Sequence, residues 1–561
     1  MGPTAGMNIG MRESRYAQDL RLSAQRGVDP NLILNGTTSF HDSISHLPKE
    51  DPTVTPEYVT VRLPDVPCVY RNDKLTVIQI PIDHGDPTVG TYQNRYWVYD
   101  KFYTPGSPIM VFDSGEANGS VYTFHLTSEK SFFRKMLQEF KAMGIVWEHR
   151  YYGGSLPYPI NSNTTPEQFK YLTTRQAIDD IPYFAKNFTH AAQPDVDLTP
   201  EGTPWVVVGG SYAGNRAAVL RNQYPDTVYA AFSSSAPVQA QVDMGVYFEQ
   251  VYRGMVTYGL GNCTKDVQAA WQYIDSNLAN NDTAVTIKQL FFGDGAEVNN
   301  NEAFTAALGR VFDTFQSNGI AAGIKGGVQD FCNWLEVDPM TNKTAGAEGV
   351  AAAHGGKYVA ERWASWDMTT PLVNYNLATN CKGLDQKRPR TCQLESFPTD
   401  SDSLSWTWQY CTEYGYFQSN NFGPHALVSS YQTLAYQQKI CNMQFSEAVK
   451  KGILPAQPRA DATNNEFGGW SIRPSNTYFS VGEFDPWTTL TVLSQEPMAP
   501  QDRAWTKSIP QCEKSNGGVI FGQIIGEAEH CFDFQAFAGQ ESRDLFQQAL
   551  KEWLKCFGQK K

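Results

Sequence analysis

The chain has 561 residues, 41% hydrophobic, 13% aromatic and 18% charged, which supplies a large core and excludes both global disorder and a small disulfide scaffold. Its 45 Lys and Arg against 58 Asp and Glu give a net charge of −13, with no basic run able to track a phosphate backbone, so no nucleic-acid partner is expected. No window approaches the ~18 consecutive apolar residues of a membrane span, so no membrane partner is expected either. The N-terminus, MGPTAGMNIGMRESRY, lacks the apolar stretch of a signal peptide.

Residues 1–60 are punctuated by Asp29-Pro30, Pro48, Asp51-Pro52 and Pro56 and read as an extension or propeptide to which no fold is assigned. From 75 the pattern alternates, in LTVIQIPI (75–82) and YWVYDKFY (96–103), as strands at a half-buried sheet edge. Short apolar runs follow: PIMVFDSG (108–115), AMGIVWEHR (142–150), WVVVGGS (205–211) and YAAFSSSAPV (229–238). Interleaved with helical stretches such as 174–187, they predict a largely parallel sheet buried on both faces. Between 241 and 470 the pattern turns helical, with stripes at Val267, Trp271, Ile274 and Leu278 and at Phe304, Leu308, Val311/Phe312 and Phe315, read as core packing. Strand-like runs return at 476–486 and 517–531, before a last helix striped with Phe546, Leu550, Trp553 and Phe557. The predicted organisation is an α/β domain over 61–240 and 471–561, interrupted by a helical insertion over 241–470.

Ten cysteines, none in a C-x-x-C pair, speak against zinc-ribbon and thioredoxin sites. Asn-x-Ser/Thr triplets begin at Asn35, Asn118, Asn163, Asn187, Asn262, Asn281 and Asn342. Together these favour a disulfide-bonded glycoprotein that is secreted or held in a vacuolar or lysosomal compartment, its leader not visible here. No metal or cofactor is called for, and a homodimer is left open.

The chemistry concentrates at WVVVGGSYAG (205–214), a buried strand running into Ser211 and then a small-residue helix start. This is the context of a nucleophile elbow, whose serine stands above the sheet on a strained turn. Close packing there demands small residues two positions either side of the serine, supplied by Gly209 and Ala213. A serine hydroxyl needs a base, and the base an orienting carboxylate. His530 is the one downstream histidine placed after a strand-like run and before the terminal helix. Asp485, at a strand end before Pro486, is the expected acid, with Glu483, Glu529 and Asp533 as rivals. The oxyanion donors are assigned to the Tyr212 amide and to the 113–116 turn, with Gly115 as the named position. Glu148, His149 and Arg150 read as a buried ion-pair cluster. Trp406, Trp408, Tyr414, Tyr416 and Phe417 read as core more readily than pocket.

GGSYAG around Ser211, EHRYYGGSLPY (148–158), FKYLTTRQAIDDI (169–181), WQYCTEYGYFQ (408–418), FDPW (484–487) and EHC (529–531) together resemble the serine peptidases of the prolyl carboxypeptidase and dipeptidyl peptidase II family, including its fungal secreted and prolyl-endoprotease branches. The resemblance spans roughly residues 66–556. It implies an α/β-hydrolase fold with a helical cap, a peptide or protein substrate, and cleavage after proline or another small residue at acid pH. By motif it carries the roles of nucleophile, acid and base onto Ser211, Asp485 and His530. Substrate-binding roles are expected for Glu116, Glu413, which could equally cap a helix, and Trp408. The loop DSGEANGS (113–120) departs from the family's Gly-Glu-Gly type of turn. An esterase or lipase using the same three groups, and a non-catalytic hydrolase-like binding protein, are the rival readings.

Overall fold

The computed structural model describes residues 15–27, 29, 56–59 and 79–558, less 322, 396, 422, 513 and 515–517. Asn35, Cys68 and positions 75–78 of the first predicted strand lie outside the described residues. A nine-stranded sheet organises the chain. Its strands are β1 (Pro56–Val59), β2 (Asn94–Tyr99), β3 (Ile109–Asp113), β4 (Met143–Trp147), β5 (Trp205–Gly210), β6 (Ala230–Ser234), β7 (Thr477–Gly482), β8 (Trp505–Thr506) and β9 (Ile520–Ile525). They lie side by side in the order β1-β2-β4-β3-β5-β6-β7-β9-β8. The pairs β1/β2 and β2/β4 are antiparallel; every pair from β4/β3 to β9/β8 is parallel.

The central strands β3, β4 and β6 are buried at every residue, which is why, apart from Asp113 at the end of β3, their sequences are apolar or small runs rather than alternating ones. From β3 the chain crosses to β4 on one side and later to β5 on the other. The loops after β3 and β5 therefore leave the sheet side by side, at the reversal of strand order where α/β sheets form their clefts. Helices α1 (Arg15–Arg26), α2 (Thr174–Asn187) and α3 (Tyr212–Gln223) precede the insertion, which includes α4 (Val246–Thr257), α5 (Gly261–Leu278) and α6 (Asp313–Asn318), and α7 (Gln540–Leu554) follows the last strand. This is an α/β-hydrolase fold with a helical insertion between β6 and β7.

The α5 stripe is buried as expected, whereas the second stripe is broken: helix 301–308, a 3-10 turn over 309–312 and α6 share it. Disulfides Cys263–Cys332, Cys381–Cys392 and Cys411–Cys441 staple the insertion, and Cys512–Cys556 ties the end of the chain to the loop before β9. Cys531 is a buried free thiol.

Of the first 60 residues, to which the sequence assigns no fold, the described ones form two elements. Positions 56–59 are the outermost strand of the sheet, and α1 is packed into the protein with Tyr16, Ala17 and Leu20 no more than 1% exposed. The prolines that mark this stretch as irregular begin only after α1, in which Tyr16, Ala17, Asp19, Leu20, Leu22, Ser23 and Gln25 are buried.

Candidate active site

Ser211 sits between β5 and α3 at φ 59° and ψ −130°, a left-handed conformation that costs a non-glycine residue of order 1–3 kcal/mol and persists only where its surroundings enforce it. Here they do. The Ser211 amide donates to the Ser234 carbonyl at the end of β6 (2.9 Å) and its carbonyl accepts from Asn215 N–H (3.0 Å). A Cβ on Gly209 would fall 2.2 Å from the Ala213 carbonyl oxygen, and one on Gly214 2.7 Å from the Ser234 carbonyl. Steric demand thus falls at positions −2 and +3. Ala213 instead packs toward Gly115 of the neighbouring loop, where a Cβ would approach its own to 3.2 Å.

His530 follows β9 on a short loop, and its Nδ1 lies 3.0 Å from both carboxylate oxygens of Asp485. Asp485 leaves β7 as the cap of a 3-10 turn starting at Pro486, with Oδ1 also accepting the Trp487 amide (2.9 Å). Histidine and aspartate are 2% and 0% exposed. Burial works against protonation of the imidazole, but the facing Asp485 carboxylate and the adjacent Cys531 together outweigh it and hold the pKa well above the usual histidine value. The insertion helps to seat this histidine: the Gln316 carbonyl on α6 accepts the His530 amide (3.0 Å), and Gln316 Oε1 accepts from Trp487 Nε1 and Tyr247 OH. Gln316 had no signal in the sequence beyond its place beside an apolar stripe.

Ser211 and His530 line one cleft, of about 490 Å³ including space open to solvent. Its aromatic walls are Tyr212, Trp406, Tyr416 and Trp487, and Glu116 and Pro237 also face it. Trp406 packs on Tyr212 (ring centroids 5.3 Å apart) and Tyr416 on Trp487 (5.2 Å), so two of the aromatics read as core are cleft wall. Trp408 is away from the cleft, stacked on Phe169. Glu413 is away from it too. Its Oε2 accepts the amide and hydroxyl of Thr174 at the start of α2 (2.8 and 2.7 Å), and burial raises its pKa against those donors. Gly115 N–H donates to Asp113 Oδ1 (3.0 Å), which places the next residue, Glu116, on the cleft.

The other charged motif residues are bound up in structure. Glu148 accepts from Arg95, Gly119 N–H, Gly154 N–H and Ser155. Arg150 pairs bidentately with Asp180, which also receives His84. His149 faces the Tyr212 hydroxyl (3.0 Å) and is kept neutral by burial and by Arg216. Arg216 in turn pairs with Asp113. The rival acid Asp533 is 1% exposed and accepts the hydroxyls of Ser234, Ser480 and Ser542, so it clamps strand ends rather than facing the imidazole. Glu529 accepts from Tyr258 OH (2.9 Å). Glu483 accepts the amide of Glu527 (3.1 Å).

Of the described sequon asparagines, Asn163, Asn187, Asn281 and Asn342 are exposed, and Asn118 and Asn262 are half-buried. Asn118 Oδ1 accepts from Arg95, and the Asn262 side-chain amide donates to Glu336 (2.8 Å). Among the described residues no group of His, Cys, Asp and Glu side chains could hold a metal ion, and no helix is long and apolar enough to cross a membrane.

Fold and cleft together define an α/β-hydrolase with a serine at the elbow and a carboxylate-paired histidine beside it. Residues 81–500 match the family described as serine carboxypeptidase S28, and the chain belongs to that family of serine-type peptidases. It is 30% identical over 447 residues to the "Probable extracellular serine carboxypeptidase" of Arthroderma benhamiae, a match covering 73% of this chain and 58% of that relative. It is 25% identical over 487 residues to the thymus-specific serine protease of Homo sapiens, covering 83% of each. Over 214 residues, 37% of this chain and 41% of the relative, it is 31% identical to the human lysosomal Pro-X carboxypeptidase.

Proposed function

We propose that the protein is a secreted or lysosomal-type serine peptidase that cuts on the carboxyl side of proline through an acyl-enzyme on Ser211. His530 removes the Ser211 hydroxyl proton as Oγ attacks the scissile carbonyl, then delivers it to the departing amine; water enters by the same route to release the acyl group. Asp485 fixes the imidazole through Nδ1 and stabilises the imidazolium. The Tyr212 amide faces the developing oxyanion; the Gly115 amide, expected from the sequence as the second donor, is instead engaged by Asp113 Oδ1. The observation that carries this reading is the His530 Nδ1 lying 3.0 Å from both Asp485 oxygens beside the elbow serine on one cleft.

Proline preference is supported by the cleft walls. A proline ring is rigid and apolar and brings no N–H to satisfy, so Tyr212, Trp406, Tyr416 and Trp487 can take it at small entropic cost. Such a slot discriminates by about 1–3 kcal/mol per methylene, which gives preference over alanine rather than exclusivity. The exposed sequons at Asn163, Asn187, Asn281 and Asn342 are the proposed glycan sites, in keeping with four disulfides. A proline-rich protein digest read by mass spectrometry tests the reading. Cuts clustered after Pro, with Ala second, are expected; cuts after Lys, Phe or Leu alone, or activity confined to lipid esters, would reject it.

A further inference from the structure

Helix α1 lies outside the family-matched residues 81–500, yet it reaches the active site. Gln18 and Arg21, three residues apart and so on one face of the helix, line the same cleft as Ser211 and His530. The neighbouring face is sunk into the protein, with Tyr16, Ala17 and Leu20 at most 1% exposed.

The helix holds both walls of the cleft at once. Toward the insertion, Tyr16 N–H donates to Asn376 Oδ1 (2.9 Å), Tyr16 OH to the Lys325 carbonyl (2.6 Å), Ser317 Oγ to the Ala17 carbonyl (3.1 Å) and Tyr375 OH to Asp19 (2.5 Å). Toward the sheet domain, Arg26 donates to the Val121 carbonyl (2.6 Å), and the Ala24 carbonyl accepts the Ala536 amide (3.2 Å). Ser317 is the residue after Gln316, whose carbonyl holds the His530 amide, so α1 rests on the element that seats the base. A polypeptide substrate must enter between insertion and sheet domain to reach Ser211. With α1 in place those two walls are joined and a glutamine and an arginine stand in the opening.

We propose that α1 is an intramolecular plug: while it is docked the cleft is closed to peptide substrates, and full activity requires it to leave. This rests on the reading of Ser211 as nucleophile. A permanent cleft wall would have no need to be fastened across both halves of the molecule. A plug does, because its inhibition lasts only while both halves stay joined.

The test compares the full-length chain, its N-terminus verified by intact mass, with Ala17→Glu/Leu20→Glu, which places two charges on the buried face of α1 and touches no residue of the catalytic machinery. Fluorophosphonate labelling of Ser211 and hydrolysis of a proline-containing peptide are both expected to rise at least tenfold in the variant. Excess synthetic peptide of sequence 15–27 should lower them again. Equal or slower rates in the variant overturn the proposal. A second route makes no substitution: the folded wild-type chain is nicked with trypsin at Lys49, between α1 and β1, and the rate is followed against loss of the N-terminal fragment. A rate that climbs in step with that loss supports the plug, and one unchanged after complete loss overturns it. If no form labels at Ser211 while hydrolysis still rises tenfold, the plug stands and the nucleophile assignment falls.

Discussion

Two buried charged clusters flank the same sheet, and they are wired differently. In the Glu148–Arg150 cluster every charge is met from several directions: Glu148 by Arg95, two backbone amides and a serine, Asp180 by Arg150 and His84. At the cleft, the His530 imidazole is held through Nδ1 by one carboxylate, and serine and histidine share a cavity. A charge met on all sides supports a fold; one met on one side and facing a cleft can exchange protons with a substrate. Burial alone does not separate them, since Arg150 and Asp485 are both 0% exposed.

Substitutions at the two clusters should therefore fail in different ways. The largest effect is expected for Ser211→Ala, which removes the proposed nucleophile and should cut turnover by about 10⁶-fold, as such losses run in serine peptidases, with melting temperature little changed. Fluorophosphonate labelling that survives in this variant would sink the assignment. Next, Asp485→Asn should lower turnover by about 10⁴-fold through loss of imidazole orientation. Its sign in pH is also defined. The Asp485 carboxylate raises the His530 pKa and the base must be neutral, so activity is lost as pH falls through that pKa. Without the carboxylate the acid limb of the residual activity should move to lower pH. An acid limb that stays put, or a larger loss from Asp533→Asn, would contradict the role given to Asp485.

At the other cluster, Asp180→Asn leaves the Arg150 guanidinium buried without its carboxylate, a change of about 3–5 kcal/mol in stability, while kcat of the folded fraction should stay within about twofold, since Asp180 does not reach the cleft. Equilibrium denaturation and active-site titration separate the two quantities. A large fall in kcat per titrated site with little loss of stability would dissolve the distinction between the clusters.

Much of this was legible in the sequence. Strands β3 to β7 and β9 announce themselves because burial on both faces leaves mostly apolar and small residues, and chain order then leaves few candidates for base and acid. What was not legible depends on contacts far apart in sequence. Gln316 reaches His530 across more than two hundred positions. Trp406 and Trp408 are two residues apart on one helix, yet one faces the cleft and the other packs on Phe169, a choice made by what lies opposite. Glu413 looks like a ligand-binding carboxylate until Thr174 is seen against it. In α1 the prolines that follow it obscured a twelve-residue helix whose hydrogen-bond partners include Asn376, Lys325 and Ser317, far away in sequence.

The smallest effect brings the two regions onto one pH axis. Burial opposes the charge on Asp180, but Arg150 and His84 outweigh it and lower the pKa to about 2, so Asp180 contributes stability that is present above the unfolded value near 4 and is lost as pH falls toward 2. Glu529, next to His530 in sequence, behaves oppositely: burial and the nearby Asp485 charge push its pKa up to about 7 although Tyr258 donates to it. Below about pH 4.5 this carboxyl is protonated in folded and unfolded chains alike and contributes nothing. As pH rises from there the unfolded carboxyl ionises first, and the folded state loses stability until about pH 7, by roughly 3 kcal/mol. Taken together, these two groups contribute most to stability near pH 4–5. Glu529→Gln keeps an acceptor for Tyr258 and removes only the ionisation. Its melting temperature should exceed that of wild type at pH 7.5 and match it at pH 4.5. A gain of equal size at both pH values would mean that Glu529 is not held protonated, and that the cleft tolerates a second buried carboxylate beside Asp485 as readily as the other cluster tolerates its own.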